Sequence, residues 1–268
     1  MRIISICPSN TELVAFLGLD HMLVAVDDYS DWPEPVTQLP RLGPDLAIRM
    51  DELEAMKPDL VLASLSVPGM EKNVEELVQR KIPHLVLNPQ SLQDIGQDLL
   101  AVAEACGIDG QQVHSEYAAA IESFKCRAAH AEHAPSLYWE WWPKPVFTPG
   151  NVNWLTEISE IVGARNAFAD IDSANIQTDW DDVRQRDPDF ILLAWVGIMT
   201  AKVKPELVRK RKGWNEMKAF DNIHIMEEEL YCRPSPRLIE GAWRLGQLVH
   251  PHLYADMELP SFIKNKQL

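Results

Sequence analysis

The sequence predicts an α/β protein made of two parallel-sheet lobes joined by one long helix. Three observations lead there. Short apolar runs that read as strands alternate with helical stretches at βαβ spacing on both sides of the chain's middle. Between them, residues 109–133 contain no proline. Val113, Tyr117, Ala120, Ile121, Phe124, Ala128 and Ala131 recur there at three- and four-residue steps, the stripe of a helix with one buried face. The third observation is an internal echo. Lys57-Pro58-Asp59-Leu60-Val61-Leu62-Ala63 is matched by Asp187-Pro188-Asp189-Phe190-Ile191-Leu192-Leu193-Ala194, each a proline-aspartate turn feeding a buried strand. The expected organisation is an N-terminal α/β lobe over 1–108, a connecting helix over 109–134 and a C-terminal α/β lobe over 135–268. A helix of about 25 residues spans about 40 Å, the width of a small domain.

The elements follow in order. Arg2 to Cys7 is a short apolar strand, and Pro8-Ser9-Asn10-Thr11-Glu12 opens a helix in which Ser9 and Glu12 have capping-box spacing. Met22 to Val26 is a second strand, followed by the polar loop DDYSDWPEP. Met50 to Lys57 is helical, and Leu60 to Ala63 is a continuous apolar run of the kind buried parallel strands show. Met70 to Lys81 is helix, Pro83 to Leu87 strand, and Ser91 to Cys106 a helix closed by Gly107. Asp109 is placed to cap the connecting helix, and Pro135 follows its end. Ser136 to Glu140 is then a strand running into WEWWPKP, Phe147 to Gly150 a turn, and Trp154 to Val162 a helix. Trp180 to Arg186 is helix, and Phe190 to Ala194 and Ile223 to Met226 are strands. Ser235 as N-cap and Pro236 at N1 start the final helix.

The formal charge of −15 argues against nucleic acid as a partner, since phosphate neutralisation needs an excess of Lys and Arg, and it disfavours an anionic membrane surface. Cys7, Cys106, Cys126 and Cys232 are widely spaced, which suits reduced thiols rather than disulfides or a zinc site. A secretory core needs about 7–15 apolar residues, more than precede Pro8, and no stretch reaches the ~18–20 of a membrane span. The chain as it stands is therefore expected in the cytoplasm, or in the periplasm if a leader has been removed.

In a two-lobed α/β protein the ligand belongs at the carboxyl ends of the strands, in a cleft between the lobes. That directs attention to Tyr29 to Trp32, Ser64 to Gly69, Trp139 to Trp142, Trp195 and Leu230–Tyr231. Of nine tryptophans, Trp139, Trp141, Trp142 and Trp195 lie at or just past a strand end, and Trp32 sits in the matching loop of the first lobe. Broad flat apolar rings suit a large, partly planar ligand. His130-x-x-His133 and His250-Pro-His252 lack further donors at ligand spacing, so no metal site is expected. Glu227 to Glu229 read as solvated surface, since three consecutive carboxylates cannot face one ion. No nucleophile with a partner base emerges, and no P-loop, G-x-G-x-x-G or G-x-S-x-G is present, so binding is expected rather than catalysis.

Six segments carry a resemblance. They are Pro8-Ser9-Asn10-Thr11-Glu12, Tyr29-Ser30-Asp31-Trp32-Pro33, Lys57-Pro58-Asp59-Leu60-Val61, Phe147-Thr148-Pro149-Gly150, Gly163-Ala164-Arg165-Asn166-Ala167-Phe168 and Arg233-Pro234-Ser235-Pro236-Arg237. In this order, over nearly the whole chain, they resemble the cobalamin-binding proteins of bacterial ABC importers, within the helical-backbone class of substrate-binding proteins. The resemblance implies reversible capture of a corrinoid by a monomer, with cobalamin as ligand and no intrinsic cofactor. Tyr29 matches a ring that contacts the corrin, and the segments at Trp139–Trp142, Trp195 and Leu230–Tyr231 match second-lobe contact loops. Glu71 matches a glutamate that docks on the importer's membrane subunit. Cys232 stands where the second docking glutamate is expected. Tryptophans expected near Asp45 and Ser64 are absent. That keeps another metal chelate (haem or a siderophore) or another small ligand as the alternative, bound by a cytoplasmic carrier or sensor, with an enzyme acting in the cleft as the less favoured reading.

Overall fold

The computed structural model describes residues 1–198 and 200–264. These form two compact units. Unit 1 is Met1–Ala119 with Pro234–Arg237 and the helix Ser261–Lys264; unit 2 is Ala120–Arg233 with Leu238–Pro260. Two segments read from the sequence as part of the C-terminal lobe thus cluster with unit 1. The reason is local: Phe262 stacks on Phe16 at 4.9 Å, and Ser235 and Arg237 bond to Glu12.

Unit 1 carries strands β1 (Ile3–Ser5), β2 (Leu23–Val26), β3 (Leu60–Ser64) and β4 (His84–Leu87), in the order β2-β1-β3-β4. All three pairings are parallel, with Ile3 opposite Leu60 and Val61 opposite His84. All five residues of β3 are buried, as a strand covered on both faces must be. Ile4, Ile6, Leu42, Leu53, Val61 and Leu77 pack together as one side of the core. Each such aliphatic side chain stabilises the fold by about 1.5–3 kcal/mol.

The first helix, Pro8–Phe16, corrects one expectation. Cys7 occupies its N-cap and Pro8 its first turn, so Ser9 and Glu12 lie inside the helix and form no capping box. Every residue of this helix is buried. Its polar side chains find tertiary partners instead: Asn10 donates to the Ala63 carbonyl at 2.9 Å, and Glu12 accepts from Ser235 and Arg237. A capping box does form at Ser91, with Asp94 as its return partner, on the helix Leu92–Ala105.

One turn further along that helix, Asp98 has a buried Oδ2 with no hydrogen-bond partner among the described residues. Burial, and secondarily the neighbouring Asp94, raises its carboxyl to about 7. The unfolded chain ionises near the ordinary value of about 4, so the folded state holds the extra proton between roughly pH 4 and 7. This contribution to stability is complete below pH ~4 and is lost as pH rises through ~7. Asp98→Asn is therefore expected to gain on the wild type in urea midpoint at about pH 8 relative to about pH 4. A difference between the two proteins that did not change with pH would contradict this account.

The connecting helix is Gln111–Ala128, shorter at both ends than the expected 109–134. The Asp109 carboxylate accepts the Gln111 N–H at 2.9 Å, the bond expected of a capping residue, and the helix proper begins at Gln111. At the other end the backbone tightens to three-residue hydrogen bonds, His130 to Arg127 and Ala131 to Ala128. The stripe residues Tyr117, Ala120 and Phe124 are buried.

Unit 2 holds β5 (Ser136–Glu140), β6 (Trp142–Pro143), β7 (Val146–Pro149), β8 (Arg165–Asn166), β9 (Asn175–Thr178), β10 (Phe190–Leu193) and β11 (Ile223–Ile225). Its main sheet, β11-β10-β5-β8, is parallel throughout. A second sheet, β6-β7-β9, is antiparallel. Residues 147–150, expected to form a turn, lie largely in β7, where Phe147 pairs with both Trp142 and Gln177. Among the described residues no helix is long and apolar enough to cross a membrane.

Candidate functional site

In unit 1 the loop after β2 is set by a single carboxylate. Asp27 is fully buried. Its Oδ1 accepts the N–H groups of Tyr29 (2.7 Å) and Ser30 (3.0 Å), and its Oδ2 accepts the Ser30 hydroxyl. Ser30 also bonds Thr11 at 2.7 Å, while Arg41 clasps the carbonyls of Asp27 and Ser30. A turn held this way leaves the Tyr29 side chain outward, 53 % exposed.

The neighbouring loops are tied to it in series. Asp28 exchanges two hydrogen bonds with Gly43, and Asn73 donates to the Asp45 carbonyl at 2.6 Å. Gly43, at φ +101°, could not carry a Cβ without meeting the Ala47 carbonyl at 2.8 Å. Leu46 and Leu65, in the loops after Gly43 and after β3, are exposed apolar residues of the same unit. Trp32 packs on Phe16 at 5.3 Å and lies under the Arg237 guanidinium at 5.1 Å. Arg237 is itself paired with the buried Glu12. Trp32 is therefore braced and only partly exposed.

In unit 2 the organising group is Glu140, fully buried at the carboxyl end of β5. Arg211 reaches it with two nitrogens, at 2.5 and 3.0 Å. Tyr138 donates its hydroxyl at 2.8 Å and Trp195 its indole N–H at 3.2 Å. Burial first, and then the Glu140 charge, pushes the Tyr138 phenol well above its ordinary range, so it stays a donor. Arg211 also lies over the Trp180 ring at 4.8 Å. The carboxylate therefore fixes Trp195, which is almost wholly buried, in orientation.

The expected site aromatics separate into two groups. Trp142 is 40 % exposed on β6, its indole N–H bonded to the Lys144 carbonyl at 3.1 Å, and Val196 lies exposed after Trp195. Trp141 retains a sliver of surface, packed on Trp154 at 5.9 Å with an indole N–H that has no acceptor among the described residues. Trp139 and Tyr231 require correction as contact residues. Both are fully buried, packed against each other at 5.4 Å, and their polar tips are used internally, on Ser159 and on the Gly241 carbonyl. Alternation along β5 explains Trp139, since Tyr138 and Glu140 take the other face.

Glu227 and Glu228, read as solvated, instead pair with Arg244 and Arg233. Cys232 donates to the Ala194 carbonyl at 3.3 Å, and burial raises its thiol well above the ordinary value. Cys7 is likewise raised, to about 11, so neither thiol supplies a nucleophile at neutral pH. Glu71 is exposed, and its carboxylate is held low chiefly by its own and the Gly69 backbone N–H.

A family model described as "Periplasmic binding protein" matches residues 3–228. An uncharacterized ABC transporter substrate-binding lipoprotein of Bacillus subtilis (strain 168) is 28 % identical over 265 residues, 95 % of this chain and 82 % of that protein. The vitamin B12-binding protein of Vibrio campbellii is 26 % identical over 245 residues, 90 % of this chain and 86 % of that protein. Among solved structures, the apo periplasmic heme-binding protein of Roseiflexus sp. RS-1 superposes with a TM-score of 0.80 at 20 % identity, covering 95 % of this chain and 98 % of that one.

Proposed function

The chain belongs to the periplasmic binding protein family, and from that premise we propose that it captures a corrinoid reversibly on the aromatic strand-end faces of its two units. Its role is binding and not catalysis. The observation that carries the corrinoid reading is the pair of outward rings, Tyr29 at 53 % and Trp142 at 40 % exposure, each on a backbone braced by a buried carboxylate or a β-ladder. Rings held in one orientation lose little freedom on stacking against a flat macrocycle. The relative named as a vitamin B12-binding protein supports this ligand. The alternative is another metal chelate, haem or a siderophore, for which the same flat surfaces serve and to which the fold's heme-binding neighbour points.

Visible absorption of the protein mixed in turn with hydroxocobalamin, haemin and a ferric siderophore separates these ligands. Trp142→Ala and Tyr29→Ala are each expected to weaken binding of the cognate ligand about five- to hundredfold, equivalent to ~1–3 kcal/mol. Unchanged affinity in both variants and in their double would remove these faces from the site.

For partner and place of work we follow the substrate-binding lipoprotein among the relatives. The chain serves an ABC transporter on the outer side of the cytoplasmic membrane, with Glu71 as the charged docking contact of unit 1. At position 232 a neutral thiol, turned inward onto Ala194, replaces the glutamate that a two-point attachment would use. Cys232→Glu is expected to strengthen association with the membrane subunit, and fractionation of cells producing the native chain reads the compartment.

A further inference from the structure

The chain's charge of −15 conceals a local reversal. Between Lys202 and Lys212 the sequence KVKPELVRKRK places Lys202, Lys204, Arg209, Lys210, Arg211 and Lys212 against one carboxylate, Glu206. Arg211 is spent on Glu140, but Lys202, Lys204, Arg209, Lys210 and Lys212 are all exposed, and none has an ion-pair partner among the described residues. The segment is not a loose tail. Val203, Val208, Met217 and Ala219 are buried in the unit 2 core and pin it down, leaving the intervening residues outward.

Apolar surface accompanies the charge. Leu207 is 42 % exposed between the cations, and Phe220 is 41 % exposed and stacked on Trp214 at 5.0 Å. The short helices Glu206–Arg209, Trp214–Glu216 and Lys218–Asp221 contact one another in series, so Leu207, Trp214 and Phe220 lie on neighbouring elements.

We propose that this surface docks unit 2 on an anionic phospholipid bilayer. Lysine and arginine meet headgroup phosphates while Leu207 and the exposed Phe220, backed by the partly buried Trp214, enter the interface, the combination that interfacial segments use. An acidic polypeptide is the other surface that this charge would meet, and it is an outcome of the test below. At ~0.1 M salt the screening length is about 10 Å, so a bilayer close to this segment feels the local excess of cations more than the distant acidic surface. The proposal stands apart from ligand capture, because none of its residues belongs to the strand-end faces.

The test is co-sedimentation of the full chain with vesicles of phosphatidylcholine alone or mixed equally with phosphatidylglycerol, at about 20 mM and about 500 mM NaCl. Binding to the anionic vesicles is expected at least about tenfold above the neutral ones, and its loss is expected at high salt. Replacing Lys204, Arg209, Lys210 and Lys212 together by Gln is expected to lower the partition about a hundredfold, and Leu207→Glu to lower it as well. A control with Lys72, Lys81 and Lys125 changed to Gln is expected to bind like the wild type. Equal partition on both vesicle types, wild-type partition in the quadruple variant, or an equal loss in the control overturns the proposal. So does binding to soluble polyglutamate with none to vesicles.

Discussion

Arg211→Met is expected to cost about 3–5 kcal/mol of stability, the penalty for leaving a buried carboxylate without its partner. Glu140 has no exposed surface from which to recruit water. With the guanidinium gone, the Tyr138 hydroxyl and the Trp195 N–H are the side-chain donors left to its charge among the described residues. The double replacement Glu140→Leu with Arg211→Met removes both charges and is expected to recover much of the loss, since a buried pair and an apolar pair of similar volume are often close in energy. Urea unfolding of the wild type, both single variants and the double completes the cycle. A single variant as stable as the wild type would mean that the carboxylate does not depend on Arg211. The same cycle bears on binding, because Trp195 loses its orienting acceptor in the double variant.

Phe124→Ala is the second large effect expected. The ring is fully buried on the connecting helix and stacks on Tyr254 at 6.2 Å with an interplanar angle of 24°. Deleting an enclosed phenyl costs about 3–5 kcal/mol, through lost transfer energy and the cavity left behind. Glu122, two residues before it, points to solvent, with a 3.6 Å ion pair to an exposed Lys125. Glu122→Ala is accordingly expected to stay within about 0.5 kcal/mol of the wild type. Equal denaturant midpoints for the two variants would contradict the burial assigned to the stripe.

These two sites differ in how far the sequence announces them. Phe124 is legible because helical periodicity marks a buried face without any knowledge of what covers it. The parallel sheets are legible for a similar reason: apolar runs such as Leu60 to Ala63 and Phe190 to Leu193 are too continuous for a strand with one wet face. Glu140 escapes such reasoning. Its partner lies 71 residues away, and no local pattern joins a carboxylate in a strand to an arginine in a basic run. Glu12 escapes for the same reason, its partners lying more than 220 residues on, and local spacing suggests a capping box instead. The strand-end aromatics are legible as a group but not individually. Aromatic content shows that rings gather there, whereas only side-chain direction separates the exposed Trp142 from the buried Trp139. The basic surface at 202–212 is hidden by arithmetic, since a whole-chain charge averages it away.

The most direct test of the central claim is a calorimetric titration of the wild-type chain with cyanocobalamin, followed by recovery of the ligand. Saturable binding of one equivalent is predicted, with an affinity at or below about 1 μM, near −8 kcal/mol. Release of the corrinoid with an unaltered visible spectrum is predicted alongside it. No saturable uptake of the corrinoid, or its recovery in a chemically changed form, would contradict reversible capture of this ligand.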